Sequence, residues 1–133
     1  MGIRTLLITA VVLVGLAFAF GNAEAGERRP YSPSDFAAAQ GDGARILVEI
    51  TASWCPTCKA QRPIVDSLAA MPENADLVIF EVDFDAQKAA VRGFNARMQS
   101  TLIAFRGATE TGRSVGDTDP ASIEALIESS KGS

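Results

Sequence analysis

Apolar and polar positions change period several times along this chain, and each change marks a structural element. Ala44 to Thr51 is an almost unbroken apolar run, interrupted only by Arg45 and Glu49. That is the pattern of a central parallel strand covered on both faces. From Pro56 to about Met71, the residues Ile64, Val65, Leu68 and Ala69 recur at helical spacing, which predicts one helix. Pro63 lies inside it, and its ring removes a backbone bond, so a bend is expected there and not two helices. Leu77 to Phe84 returns to a two-residue alternation, a second buried strand. Asp85 can cap a helix from Ala86 to about Asn95, with Val91 and Phe94 inward. Thr101 to Arg106 is a third strand, Gly107 to Thr111 a turn, and Gly112 to Val115 a short fourth strand. Beyond a bend at Gly116, Asp117-Thr118-Asp119-Pro120 offers capping chemistry. An amphipathic last helix then runs from Pro120 or Ala121 to Ser130, with Ile123, Leu126 and Ile127 on one face.

Upstream of the first strand, Ser34 can cap a short helix, Asp35 to Gln40, which the loop Gly41-Asp42-Gly43 ends. Residues 26–33 form a polar, proline-bounded lead-in. The order helix, β, α, β, α, β, β, α places parallel strands first and a hairpin last. Crossovers of this length are right-handed. The expected fold class is therefore α/β, a mixed four-stranded sheet with helices on both faces.

The first residues carry a different signal. Arg4 supplies a basic region, Thr5 to Phe20 is a charge-free apolar stretch, and Ala23-Glu24-Ala25 has the small-x-small form of a cleavage site. An export signal cleaved after Ala25 is expected. An uncleaved membrane anchor is the competing reading, but the apolar stretch falls short of the ~20 residues a spanning helix wants. The organisation is then a signal peptide at 1–25, the lead-in at 26–33 and one domain at 34–133, placed in the periplasm or otherwise exported. A formal net charge of −4 comes with no basic patch of the kind that follows phosphates, which argues against nucleic acid as a partner. Arg28-Arg29 reads as part of a solvated leader, and the expected state is a monomer.

The chemistry concentrates in Trp54-Cys55-Pro56-Thr57-Cys58, at the strand-to-helix junction. These are the only two cysteines among 133 residues, and there is no histidine. Residues three apart on a helix share a face, so both sulfurs can meet within one turn. Unpaired N–H groups and the positive dipole end favour a thiolate at Cys55, with Pro56 at the first helical position. Cys58, one turn in, should be more shielded. Cys55 is thus the candidate attacking thiolate and Cys58 the resolving thiol. Two other readings stay open. One is an inert disulfide, although closing so short a loop stabilises little. The other is a binding module that holds a dedicated partner, or a metal or cluster completed by two chains, since one chain lacks the ligands for an ordinary structural zinc site. Glu49 is a second candidate: a carboxylate in the most apolar strand, six residues before Cys55. Buried without a basic partner, it would have a raised pKa and could exchange a proton with Cys58.

From about Phe36 to Ser129 the chain resembles the thioredoxin superfamily. The resemblance rests on Trp54 to Lys59, Pro63 five residues after the second cysteine, Thr101-Leu102, and Val115-Gly116 before the last helix. The Pro56-Thr57 dipeptide is similar to that of periplasmic thioredoxin-like reductants of cytochrome c maturation, and Ile46 to Lys59 also resembles the C-terminal domain of the membrane disulfide reductase that feeds them. The resemblance implies a thioredoxin-like fold and a thiol-disulfide oxidoreductase that needs no cofactor. It implies exported protein thiols and disulfides as partners, cytochrome c maturation factors and a membrane electron donor among them. Cys55 would be the nucleophile, Cys58 the resolving thiol, Glu49 the buried acid, and Trp54, Pro56, Thr57, Ser100 and Thr101 the partner-binding surface. Two positions depart from the family pattern. Ser100 stands where thioredoxins carry a cis-proline, so a trans bond is expected; its hydroxyl would reach a cysteine sulfur or turn to solvent. Glu81 stands where a lysine usually accompanies the buried acid.

Overall fold

The computed structural model describes residues 26–132, so the expected leader and its cleavage after Ala25 lie outside the described residues. Five strands form one sheet in the order β1-β3-β2-β4-β5. They are β1 (Glu27–Pro30), β2 (Arg45–Thr51), β3 (Leu77–Asp83), β4 (Thr101–Arg106) and β5 (Thr109–Val115). The helices are α1 (Pro33–Gly41), α2 (Pro56–Ala69), α3 (Lys88–Gly93) and α4 (Pro120–Ser129). β3 pairs in parallel with β1 and β2, whereas β4 runs antiparallel to β2 and β5.

The sheet has five strands and not the expected four, because the polar lead-in contains β1. Its residues show no apolar alternation. Backbone pairing to β3, from Glu27 opposite Val78 to Pro30 opposite Glu81, holds it as an edge strand. Its single proline at the edge leaves no ladder bond unmade inside the sheet.

Alternation along β2 and β3 divides the core into two layers. Ile46, Val48, Ile50, Phe80 and Val82 pack on one face with Ala39 of α1 and Val91 of α3, within a group of edge-to-face rings that includes Tyr31, Phe36, Phe94 and Phe105. Leu47, Leu77, Ile79 and Leu102 face the other way, against Val65 and Leu68 of α2 and Ile123 and Ile127 of α4. α2 continues through Pro63 as one helix, as the spacing predicts. One expected cap shifts position and another does not form. Ser32, not Ser34, caps α1 by accepting the Asp35 N–H, since Pro33 occupies the first turn, where a missing N–H is harmless. The expected Asp85 cap is not made, because α3 begins only at Lys88 behind Gln87, which forms no side-chain cap bond; Asp83 accepts the Asp85 and Ala86 N–H groups of the preceding turn.

Opposite the cysteine end, the buried Arg45 at the start of β2 ties three segments together. Its guanidinium donates to Asp76 Oδ1 at 2.7 Å, Asn74 Oδ1 at 2.9 Å, the Glu73 carbonyl at 2.9 Å and Ser130 Oγ at 3.2 Å.

Candidate active site

β2 ends at Thr51, and within four residues the chain turns into α2. Cys55 is the N-cap of that helix: its N–H donates to the Ala52 carbonyl at 3.1 Å, and its Sγ accepts the Cys58 N–H at 3.1 Å. Pro56 takes the first helical position, as predicted. The two cysteines form a disulfide with Cα atoms 5.3 Å apart, packed beneath by Ala52 and Phe84. The expected difference in shielding is absent in this oxidised form, because Cys55 is 1% exposed and Cys58 7%. The N-cap turn folds Cys55 back onto the helix, and a cleft of about 250 Å³ bordered by Thr51, Ser53, Lys59, Arg62 and Asp83 opens on Cys58 instead.

Glu49 shares its face of β2 with Leu47, so it lies under α2, and it is 7% exposed. It lines, with Cys58 and Gln61, a cavity of about 10 Å³, roughly the 10–15 Å³ that one water needs. The expectation of a carboxylate without a basic partner is overturned, because Arg28 of β1 forms an ion pair with it. The register explains the reach. Glu49 lies directly beside Glu81 on β3, and Arg28 lies beside Ile79 on the same face, so its long side chain crosses β3 to the neighbouring strand. Like charges side by side on neighbouring strands repel, and the arginines offset this. Arg28 also reaches Asp66 of α2 at 2.6 Å and Glu81 at 3.6 Å, and Arg62 pairs with Glu81. Arg28 is therefore no solvated leader residue. Its guanidinium is the cation that the sequence left unassigned, and its attraction opposes the desolvation of the carboxylate.

The remaining predicted residues surround the disulfide unevenly. Trp54 is 55% exposed, and its indole N–H donates to Asp85 Oδ2 at 2.7 Å, which fixes the ring. Pro56 is exposed and Thr57 partly so. Thr101 begins β4 beside Ile50 at the cysteine end of β2, and Ser100 directly precedes it. All peptide bonds among the described residues are trans, and Ser100 adopts a left-handed φ of 57°. Its hydroxyl does neither of the things expected. It is buried, so it does not face solvent, and it donates to the Gln99 carbonyl at 2.6 Å and not to a sulfur. Thr101 Oγ1 donates to the Met98 carbonyl at 2.7 Å.

Sequence reasoning missed Arg28, Arg62, Asp85 and Gln61. The last is 3% exposed and donates both amide hydrogens, one to the Ser100 carbonyl at 3.2 Å and one to the Asp117 carbonyl at 2.7 Å. Its position three residues after Cys58, on the same buried helix face, was the available signal.

Comparison with known proteins agrees with this architecture. Residues 31–129 match the family model described as Thioredoxin. A thioredoxin of Chlamydia muridarum is 37% identical over 82 residues, 62% of this chain and 78% of that protein. The putative thioredoxin-5 of Dictyostelium discoideum is 30% identical over 101 residues, 76% of this chain and 95% of that one. Among solved structures, Trxlp from Edwardsiella tarda superposes with a TM-score of 0.74 at 42% identity, covering 76% of this chain and 98% of that chain.

Proposed function

This chain belongs to the thioredoxin family, and from that premise we propose that it is an exported thiol-disulfide oxidoreductase that reduces the disulfides of other exported proteins. In the forward cycle the Cys55 thiolate attacks one sulfur of a partner disulfide, a mixed disulfide forms, and the partner's other sulfur leaves as thiolate. Cys58 then loses its proton to solvent at the cleft that opens on it, attacks Cys55 Sγ, and closes the Cys55–Cys58 disulfide as the second partner sulfur leaves. Two electrons pass to the partner, and the cysteines themselves carry them.

The observation that carries this reading is the cap. A sulfur that accepts the Cys58 N–H at the start of a 14-residue helix sits where unpaired N–H groups and the helix dipole stabilise negative charge. The direction rests on the Pro56-Thr57 dipeptide, because the charges around Cys58 offset one another: Glu49 and Glu81 are engaged by Arg28 and Arg62, and Lys59 borders the same cleft as Asp83. Trp54, Pro56 and Thr57 would meet the partner through side chains. Ser100 and Thr101, with buried side chains, would meet it through backbone. The Pro56-Thr57 dipeptide supports cytochrome c maturation factors as acceptors and a membrane disulfide reductase as donor.

Equilibration of the pair against glutathione buffers tests the direction. A reducing protein has a potential at or below roughly −230 mV, and a value above roughly −180 mV would overturn the assignment. Expression of the full chain with Cys58→Ser in a bacterial host tests the rest. The expected result is a periplasmic protein beginning at Gly26 that is trapped in mixed disulfides through Cys55.

A further inference from the structure

We propose that Gln61 is a positioning residue for partner recognition: its side-chain amide straps together the two loops beside the disulfide and holds the Ser100 backbone in its left-handed conformation. The inference rests on the thiol-disulfide exchange described above and concerns how a protein partner, as distinct from a small disulfide, is received.

The loop from Asn95 to Ser100 is bracketed by two non-glycine residues with positive φ, 52° at Asn95 and 57° at Ser100. Left-handed backbone is unfavourable for an L-residue with a side chain, so such geometry persists only where its surroundings impose it. At Ser100 the constraints can be named. Its carbonyl accepts from the Gly116 N–H at 2.9 Å and from Gln61 Nε2 at 3.2 Å. The second amide hydrogen of Gln61 goes to the Asp117 carbonyl at 2.7 Å. One buried side chain on α2 therefore fastens the start of β4 and the segment after β5. Both lie at the sheet end from which the cysteine turn emerges, because Thr101 is registered between Ile50 and Val115.

The amide orientation follows from chemistry. Two carbonyl oxygens demand two donors, and among side chains of this length only the nitrogen end of glutamine offers both on one atom without a charge. A methionine would fill the space and leave the Asp117 oxygen without this donor. A glutamate, isosteric, would set a carboxylate against two carbonyls. The rim that this strap supports carries exposed apolar side chains, Met98 at 53% and Val115 at 56%, and Trp54 is likewise exposed. An extended polypeptide crossing from Trp54 to that rim would meet a backbone whose position Gln61 sets, whereas a disulfide of a few atoms would touch the sulfurs alone.

The test compares wild type with Gln61→Met and Gln61→Glu on insulin, a protein disulfide, and on hydroxyethyl disulfide, with melting temperatures recorded for each. Loss of the two strap bonds should raise KM for insulin by about tenfold, on the scale of one to two hydrogen bonds. In Gln61→Met, which adds no charge to the cavity shared with Cys58 and Glu49, the kcat and the hydroxyethyl disulfide rate should stay within about twofold, because positioning of the reacting sulfurs is untouched. Gln61→Glu adds a readout that a packing role would not move. Its insulin KM should fall toward wild type at mildly acidic pH, where protonation restores one donor, relative to hydroxyethyl disulfide at the same pH. An unchanged ratio between the two substrates in a folded variant overturns the proposal, as does an equal loss on both. Should Gln61→Met fail to fold, the pH response of Gln61→Glu decides alone. A wild-type protein inert toward hydroxyethyl disulfide would instead sink the exchange reading itself.

Discussion

Replacing Arg28 by methionine should lower stability far more than a change in a short edge strand ordinarily does. The guanidinium faces Glu49, Asp66 and Glu81. Methionine keeps most of the aliphatic packing and removes the charge, leaving Glu49 buried beside Glu81 with no cation in contact. Breaking a fully buried pair by removing one partner costs about 3–5 kcal/mol. The Arg28 side chain is 20% exposed and that of Glu49 9%, so water screens part of the loss, and about 2–3 kcal/mol is expected by scaling that range down. In urea this appears as a lower midpoint with an unchanged slope. The double variant Arg28→Met/Glu49→Leu closes the cycle. Apolar replacement of both partners of a buried pair is often neutral or stabilising, so it should regain most of the loss. Arg28→Lys should regain less, because a point charge cannot fork between three carboxylates. A single variant within about 0.5 kcal/mol of wild type, the scatter of ordinary surface substitutions, would refute the reasoning. So would a double variant no more stable than the single one.

Arg45→Met should cost about 1–3 kcal/mol, because it strands the buried Asn74 oxygen while Ser130 Oγ keeps its bond to the Ile127 carbonyl, and thermal unfolding reads this directly. Ser100→Pro, which would install the proline found in other thioredoxins, should destabilise by about 3 kcal/mol or more: a trans proline fixes φ near −65°, incompatible with 57°. A denaturation midpoint at or above wild type would refute this. Glu110 accepts hydrogen bonds from Arg113, which lowers its pKa against a smaller opposing effect of burial. A depressed folded pKa gives stability that is present above the unfolded value and lost as pH falls through the folded one. NMR titration should show the Glu110 midpoint below the ordinary carboxylate range, and Arg113→Gln should return it there.

The sequence was most legible where one side chain or one period decides the outcome. β4 has its predicted limits, Thr101–Arg106, because an apolar run follows a polar loop and precedes Gly107. Cys55 as cap and Pro56 as first helical residue follow from local chemistry. Illegible features depend on partners distant in the chain. Nothing in Glu27 to Pro30 says strand until β3 offers its edge. The role of Arg28 is invisible until register carries it across β3 to Glu49, and the hydroxyl of Ser100 was misread because its φ depends on Gln61 and Gly116. The cap at Ser32 and the turn held by Asp83 were missed for a smaller reason, since neighbouring serines and aspartates compete for the same N–H groups.

The start of the described chain joins these threads. The Gly26 N–H donates to the Ala69 carbonyl, the last residue of α2, at 2.8 Å. A Cβ at Gly26 would lie 3.1 Å from the Leu77 oxygen and 3.2 Å from that of Asn74, so a larger residue would push β1 off its seat. In the proposed exported form, cleavage after Ala25 turns that amide into an ammonium group placed at the negative end of the helix that bears both cysteines. A cation at a helix C-terminus contributes about 0.3–1 kcal/mol at low ionic strength. A protein beginning at Gly26 should therefore exceed its N-acetylated counterpart in stability by that amount at neutral pH. The difference should shrink in high salt and vanish once alkaline conditions deprotonate the amine. Because β1 also delivers Arg28 to Glu49, Gly26→Val should lower stability and weaken the coupling measured in the Arg28/Glu49 cycle. Equal stability of the free and acetylated forms at low salt would show that the amide contact alone, and not a charge created by processing, seats the strand.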